Sequence, residues 1–297
     1  MEYDSGLQKY GADKLALLGM FILGLFIAYL ISTARYDWPR SAAIEMTNRI
    51  KNKGLSSILA KTGWEKFFLV KDAHGRPAGF TMEIFIEERK NQRFNIKSAA
   101  HYYIKGLYTE EQKTFFQTNE HLEEFLWQSR TITPRGSKLR VISLSKDSIL
   151  TIRQSEPRPK ITFKIKPATL PSPVLDLAFS QMLEGKIDKI ALDVIQSNGS
   201  VVPMLISREN IKSSENEKQN RKYKFRLEIP LRRNFLQYIY LDGNKKISGI
   251  IMKRPRKYVL ERGTVSEILK YFPDKASYLF DREMEPESED EFFPQMR

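Results

Sequence analysis

Residue types that could carry chemistry are sparse in this sequence, and their spacing matches no standard catalytic pattern. The histidines are His74, His101 and His121, and no two of them have the spacing of an HExxH motif. A metal site would therefore have to be assembled from residues far apart in the chain. Cysteine is absent, which excludes disulfides, thiolate metal sites and cysteine nucleophiles. We predict surface or core histidines and no metal site.

Acidic residues occur in adjacent pairs, such as Glu87-Glu88 and Glu123-Glu124. Neighbouring side chains on a strand or helix diverge, so these pairs suit solvated charges better than the acid and base of a glycosidase. The sequence contains no GxSxG turn, no phosphate-binding P-loop and no GxGxxG dinucleotide motif. We therefore name no catalytic residue and no cofactor, and the sequence favours a non-catalytic protein.

Basic residues are the most informative polar feature, because 49 lysines and arginines against 36 acids give a net charge of +13. The candidates for binding an anionic surface are Lys160, Lys164, Lys224, Arg226, Lys253, Arg254, Arg256 and Lys257. Four explanations are open: a solvated face, anionic lipid headgroups, an acidic protein partner, and nucleic acid stacked on nearby tyrosines. Nucleic acid is the least favoured partner.

The longest apolar run, LALLGMFILGLFIAYLI at residues 15–31, contains no charged residue. With the next three residues it reaches the length of a membrane-crossing helix, so we predict one transmembrane helix over 15–34 after a leader of residues 1–14. The alternatives are a cleavable signal peptide, cut near Ser32-Thr33-Ala34, and a buried core helix. The run exceeds the usual length of a signal peptide, which favours an uncleaved anchor.

The charges that flank this segment bear on its orientation. Lys9 and Lys14 precede it, whereas Arg35 and Arg40 come after it, so a positive-inside count slightly favours a cytoplasmic C-terminal domain. Against this, a first apolar segment after a short N-terminal stretch commonly directs export of the domain behind it, and a β-rich domain suits an envelope location. We predict a single-pass signal-anchor with its C-terminal domain in the periplasm.

Period-two alternation dominates residues 64 to about 260, and we predict one β-rich domain over 64–280. In 80–86 and 223–229, for example, every second residue is apolar, as in antiparallel strands with one buried face. Turn sequences such as Asn198-Gly199 and Asp242-Gly243 separate about a dozen such strands, which indicates a meander. The predicted fold class is α+β, mainly antiparallel β, with helices inserted in the sheet and one transmembrane helix before it.

Helical patterns interrupt or flank the strands. A connector helix is predicted over 41–60, an inserted helix over 173–184, and a capped helix from Thr264. The spacing of apolar residues within 119–127 suggests a further short helix. The tail 281–297 carries seven acids and two arginines, and we predict that it is disordered.

Over about 64–260 the chain resembles the bacterial lipoprotein carriers (LolA/LolB-like architecture). The resemblance rests on the strand count, on the inserted helix and on an opening hairpin at Asp72-Ala73-His74-Gly75-Arg76-Pro77-Ala78-Gly79-Phe80. The resemblance implies a curved half-barrel sheet wrapped around one or more helices, with acyl chains held in the concavity. The chain departs from the carriers in its permanent anchor and in lacking a lipobox cysteine, which argues against shuttling of lipoproteins.

The concave face of this sheet is the candidate ligand site. An ordinary closed core would show the same alternation, so the choice depends on whether the helix 173–184 plugs the sheet or stands off it. The predicted wall residues are Phe80, Met82, Ile84, Ile104, Phe225, Leu227 and Ile229.

We therefore predict a membrane-anchored envelope protein whose non-catalytic β-rich domain binds an apolar, lipid-like ligand or assists assembly of a membrane-associated complex. The alternative is an anchored adaptor that docks an acidic protein partner or an anionic membrane through its basic face.

Overall fold

Segments in which apolar and polar residues alternate form a single sheet of fifteen strands in the part of the chain that the computed structural model describes. The described residues are 20–27, 38–88, 93–102, 110–134, 136–154, 160–211, 221–230, 232–254 and 257–275. The first eight strands are β1 (Glu65–Lys71), β2 (Pro77–Glu88), β3 (Arg93–Tyr102), β4 (Glu110–Asn119), β5 (Phe125–Thr133), β6 (Gly136–Leu144), β7 (Ile149–Gln154) and β8 (Ile161–Lys164). The others are β9 (Thr169–Pro171), β10 (Lys189–Ile195), β11 (Val201–Glu209), β12 (Arg221–Ile229), β13 (Arg232–Asp242), β14 (Ile247–Arg254) and β15 (Tyr258–Arg262).

The strands form two meanders joined at the centre of the sheet. Their order is β8-β7-β6-β5-β4-β3-β2-β1-β15-β14-β13-β12-β11-β10-β9. The antiparallel pairing of β1 with β15 joins the meanders, and β9 with β10 is the parallel pair among the described strands. The predicted antiparallel meander is confirmed, although it has fifteen strands instead of about a dozen. The difference includes the short edge strand β9, whose three residues give little period-two signal.

The helices are α1 (residues 38–53), α2 (Leu55–Thr62), α3 (Leu175–Glu184) and α4 (Val265–Tyr271). Gly54 separates α1 from α2 with a φ of 77°, in the region that favours glycine. A Cβ at this position would collide with the carboxylate of Glu120. That carboxylate accepts hydrogen bonds from the backbone N of Ser56 at 3.1 Å and from its Oγ at 2.9 Å. Glu120 therefore caps α2 from a distant part of the chain.

The turn that carries Glu120 corrects one helix prediction. Residues 119–124 are not helical, and β5 begins at Phe125. Leu122 is buried with a φ of 53°, in the left-handed region, which a right-handed helix cannot include. The apolar spacing of 119–127 thus belongs to a turn followed by a strand.

Helices α1, α2 and α3 lie on the concave face of the sheet, and residues of both meanders pack against them. The largest side chains of this main cluster include Met46, Ile50, Leu59, Phe116, Trp127, Phe179 and Phe225. Burial of this apolar surface is the chief stabilising contribution that the fold offers. Since Leu177, Phe179 and Met182 are all buried, helix α3 plugs the sheet instead of standing off it.

The sheet is curved but is not closed by hydrogen bonds, because β8 and β9 remain its two edges. The two ends meet through side chains instead. Gly199, in the turn between β10 and β11, has a φ of 79°, and a Cβ there would lie 2.9 Å from Cδ1 of Ile152 in β7. Glycine satisfies both the turn and this close approach. We call the meeting of β7 and β8 with β9 and β10 the seam.

Helix α4 packs on the opposite, convex face of the sheet. It begins with a capping box, in which the backbone N of Glu267 donates to Oγ1 of Thr264 at 3.2 Å and the backbone N of Thr264 donates to Oε2 of Glu267 at 2.7 Å. Ile268 of this helix forms a second, outer cluster with Phe80 and Met82. The C-terminal helix therefore covers apolar residues that the concave helices cannot reach.

The predicted transmembrane segment 15–34 is described only over residues 20–27, which are helical. No helix in the described ranges is long and apolar enough to cross a membrane. The leader 1–14, the rest of 15–34 and the acidic tail 281–297 lie outside the described residues.

Candidate functional site

The predicted ligand wall is divided between the two faces of the sheet. Phe80 and Met82 lie in the outer cluster beneath α4, and Ile84 packs against that cluster. In β2 it is Phe85 that belongs to the main cluster on the concave side. Because side chains alternate along a strand, Phe80, Met82 and Ile84 point away from the concavity.

The C-terminal members of the predicted wall lie on the concave side. Phe225 and Leu227 belong to the main cluster, and the ring centroid of Phe225 is 5.1 Å from that of Phe179 in α3. Ile229 is half-buried at the end of β12, and Ile104 lies outside the described residues. The single wall that the sequence predicts is therefore not formed, and its concave members are covered by a helix.

The predicted basic face is also divided. Lys160 and Lys164 are exposed beside and on the edge strand β8, whereas Arg254 and Lys257 are exposed where β14 and β15 meet. Arg256 lies outside the described residues. The sheet order places β8 at one edge and β14 in the other meander, so these cations do not form one continuous patch.

The remaining predicted anion-binding residues, Lys224, Arg226 and Lys253, lie near Tyr238 on β13. The Nζ atoms of Lys224 and Lys253 lie 4.6 and 4.9 Å from its ring centroid, within the range of cation–π contacts. Lys224 also lies 3.4 Å from Oε2 of Glu209, and Arg226 contacts Oε1 of Glu228 at 2.5 Å. Acidic neighbours therefore neutralise part of the charge that the sequence assigns to an anionic partner.

Metal ligands are not brought together in the described ranges, where no group of three or more histidine, aspartate or glutamate side chains could hold an ion. His101 is buried, with its Nδ1 3.4 Å from Oε1 of Glu111. The Nδ1 of His121 is 2.6 Å from the backbone O of Lys51, and His74 lies in an exposed turn. The His101 and His121 side chains therefore contact neighbouring groups of the fold.

The concave face has an apolar end and a polar end, because its residues pair in rows across the strands. One row consists of Phe85, Ile96, Phe116, Trp127 and Ile142. The next row consists of Glu83, Ser98, Thr114, Ser129 and Arg140. The hydroxyls of Ser98 and Thr114 are hydrogen-bonded to each other, and Nε2 of Gln112 donates to Oγ of Ser129 at 3.2 Å.

A buried ion cluster joins the polar end to helix α3. The Nζ of Lys66 in β1 lies 3.0 Å from Oε1 of Glu83, contacts Oδ2 of Asp176 in α3, and is 4.5 Å from the ring centroid of Phe85. Burial alone would lower the pKa of Lys66, but the charges of Asp176 and Glu83 outweigh it, so the pKa is raised. Burial raises the pKa of Glu83 in spite of Lys66, and the charge of Asp176 raises it further. This Lys66 cluster fixes α3 inside the sheet.

A pocket of about 290 Å³ opens at the apolar end, in the seam. Its apolar walls come from Leu122, Phe125, Leu144, Ile165, Leu170, Pro171 and Ile195. Lys51, Glu123, Lys146, Ser148 and Thr169 supply its polar lining. A depression of about 200 Å³ lies beside it and shares Phe125 and Leu144. The seam pocket is near the lower end of the size range of small-ligand sites, and its mixed lining is typical of them.

Unusual backbone conformations concentrate around the seam pocket. Leu122 and Ser148, which line it, have φ values of 53° and 61°, and Ala168, next to the lining residue Thr169, has a φ of 60°. Such left-handed conformations in residues other than glycine cost about 1 kcal/mol or more each and tend to gather at binding sites.

Sequence reasoning missed the seam pocket. Its lining comes from α1, from the turn before β5, from the ends of β6 and β10, and from the segment between β8 and α3. These parts are adjacent only because the sheet curves until its edges meet. The sequence gives some lining residues other roles: Glu123 belongs to a pair of solvated acids, and Leu122 and Phe125 belong to the predicted short helix.

Comparison with known proteins gives little further information. No family model matches the chain, and no curated protein matches it. Among solved structures, the chain is similar to a beta-barrel-like protein of a domain of unknown function (DUF1849) from Brucella abortus, with 9% identity and a TM-score of 0.49. That similarity covers 67% of this chain and 95% of the other chain.

Proposed function

We propose that this chain is a non-catalytic, membrane-anchored binding protein whose seam pocket holds a small amphiphilic ligand with an acidic group. The observation that carries the proposal is the composition of the seam pocket, which combines apolar walls with Lys51 and Lys146. Apolar walls gain free energy by covering an apolar body, and the lysines attract an acid. One carboxylate, Glu123, also lines the pocket and disfavours a second negative charge on the ligand.

The ligand site in this proposal differs from the wall predicted for the concave face. Phe225 packs against Phe179 of α3, and Leu227 is buried in the same main cluster, so a ligand there would have to displace the packed core. The seam pocket needs no such displacement, because it lies between the edges of the sheet. Its modest volume favours a short chain or a compact amphiphile over a complete diacyl lipid.

Membrane anchoring is part of the same proposal. The large apolar side chains of the helical stretch 20–27 are 47–64% exposed, so this stretch is not packed in the core of the β-rich domain. An exposed apolar patch of this kind is expected to find an apolar environment. We propose that residues 15–34 provide the anchor and that the β-rich domain lies outside the cytoplasm.

The adaptor alternative has weaker support. Lys224 and Arg226 are paired with Glu209 and Glu228, and the exposed lysines on β8 lie in the other meander. An acidic partner would therefore meet scattered cations instead of one basic face.

We expect Lys146→Glu to weaken binding of decanoate to the full-length chain in a non-ionic detergent by about tenfold or more, because the ligand carboxylate would face an acid in place of an ammonium. Isothermal titration calorimetry measures the affinity. Lys257→Glu is the matched control, since it makes the same charge change at an exposed residue outside the seam pocket. Equal weakening by both variants, or no binding to the wild-type chain, would contradict the assigned pocket.

For the anchor, we expect Leu23→Lys combined with Leu25→Lys to release the chain from the membrane fraction, because each lysine near the centre of a span costs about 2.5–3.5 kcal/mol. Fractionation of cells at alkaline pH measures the release. Ile161→Lys with Phe163→Lys is the control, since both residues are exposed on β8. A wild-type chain recovered in the supernatant would refute anchoring.

The orientation has its own test, a C-terminal reporter that is active only outside the cytoplasm.

A further inference from the structure

Two nitrogen donors on the concave face lack hydrogen-bond partners, and they belong to neighbouring strands. Trp127 in β5 is 2% exposed, and its Nε1 has no acceptor in the described structure. The Nε of Arg140 in β6 is likewise buried without an acceptor. Buried donors are nearly always satisfied by protein, water or ligand, so two unpaired donors in one region require an explanation.

The sheet register places both donors in one polar patch. Ser129, which is 2% exposed, lies directly opposite Arg140, and Gln154 lies opposite Arg140 on its other side. Trp127 is the diagonal neighbour of Arg140, at a spacing of about 7–8 Å that an arginine and an indole can bridge. The patch therefore offers guanidinium, indole and hydroxyl donors on one concave surface.

No carboxylate of the polar row neutralises Arg140. Glu83, the acid of that row, lies four strands away, at roughly 19 Å, and is held by Lys66. Arg140 forms no ion pair in the described part of the chain. An arginine beside neutral donors, with no acid partner among the described residues, is the usual chemistry of an oxyanion site.

We propose that Arg140, with Trp127 and Ser129, binds an oxyanion, either a carboxylate or a phosphate group, at the polar end of the concave face. This site is separate from the seam pocket, because Leu144 of that pocket lies four residues further along β6, roughly 13 Å from Arg140. The inference therefore does not depend on the proposed function. The planar guanidinium of Arg140 can donate two hydrogen bonds to either a carboxylate or a phosphate group. The indole N–H of Trp127 adds a further donor for the same oxyanion.

The test titrates the full-length chain in a non-ionic detergent with inorganic phosphate and, separately, with acetate. We expect at least one of them to bind in the range of about 0.1–10 mM, to raise the thermal unfolding midpoint and to change tryptophan fluorescence. Arg140→Gln should weaken that binding at least tenfold. The control, Arg153→Gln, removes an arginine from the outward face of β7 and should leave the binding unchanged.

The two ions identify the group, because stronger binding of phosphate indicates a phosphate ligand and stronger binding of acetate a carboxylate. A wild-type chain that responds to neither ion overturns the proposal, as does an Arg140→Gln chain that binds like the wild type. If Arg140→Gln does not fold, Arg140→Lys replaces it in the comparison. Lysine keeps the positive charge but lacks the Nε donor and the paired N–H donors of the guanidinium, so we expect severalfold weaker binding. Undiminished binding by Arg140→Lys would again overturn the proposed site.

Discussion

Replacing Lys66 with methionine is expected to lower the free energy of unfolding by about 3–5 kcal/mol, because the change leaves Glu83 and Asp176 buried without a cation. Methionine has nearly the length of the lysine stem, so the loss reflects charge more than volume. Urea denaturation followed by far-ultraviolet circular dichroism measures the difference. The effect should be large because the Lys66 cluster is the ionic link between α3 and the strands β1 and β2.

The loss should depend on pH with a defined sign. The pKa of Glu83 is raised in the folded chain by burial, so its protonated form fits the fold better than its charged form. The contribution of Glu83 to the free energy of unfolding is therefore greatest at pH values below the ordinary glutamate pKa. It declines as the pH rises through the raised pKa of the folded chain. The raised pKa of Lys66 gives a contribution that is lost only in alkaline solution. Lys66→Met should therefore be less destabilising at pH 5 than at pH 8.

A triple variant provides the control for the Lys66 cluster. Lys66→Met combined with Glu83→Gln and Asp176→Asn removes all three charges while conserving most of the volume, and it should recover a large part of the stability lost by Lys66→Met alone. A Lys66→Met chain within about 1 kcal/mol of the wild type, or one equally destabilised at both pH values, would show that the cluster is not buried as described.

Truncating Phe179 to alanine is expected to cost about 3–5 kcal/mol, since it leaves a cavity at the centre of the main cluster. Phe179 is 1% exposed on α3, and its ring packs 5.1 Å from that of Phe225. The contact joins the helix to the second meander. Chemical denaturation at constant pH measures the change in the free energy of unfolding.

Phe163 offers a matched control for this truncation. It is 37% exposed on the edge strand β8, so Phe163→Ala should change the stability by less than about 1 kcal/mol. Similar losses from the two variants would mean that α3 does not occupy the concavity. The sheet would then be open enough to hold an acyl chain, as the resemblance to lipoprotein carriers implies.

Strand alternation predicts much of the sheet but does not tell which face is concave. The pattern in 80–86 correctly places Phe80, Met82 and Ile84 on one side of β2, and the pattern in 223–229 does the same for Phe225 and Leu227. Alternation within one strand does not show whether its apolar face lies on the same side of the sheet as the apolar face of a strand more than a hundred residues away. Helix α4 buries the first set on the convex side, so the predicted single wall combines two separate apolar faces.

Local signals are reliable where a single turn or cap decides the structure. Thr264 and Glu267 form the expected capping box, and Gly199 lies in the expected tight turn. The spacing of Leu122, Phe125 and Leu126 fails as a helix signal, because the left-handed backbone of Leu122 ends the turn and β5 begins at once. A helical period over so few residues cannot be separated from a turn and a strand.

The most direct test of the account is a crystal structure of the full-length chain grown with decanoate. We expect the alkyl chain to lie in the seam pocket between Phe125, Leu144 and Leu170, with its carboxylate about 2.8 Å from the Nζ of Lys51 or Lys146. Decanoate bound elsewhere, beside an empty seam pocket, would contradict the central claim that the meeting edges of the sheet form the binding site.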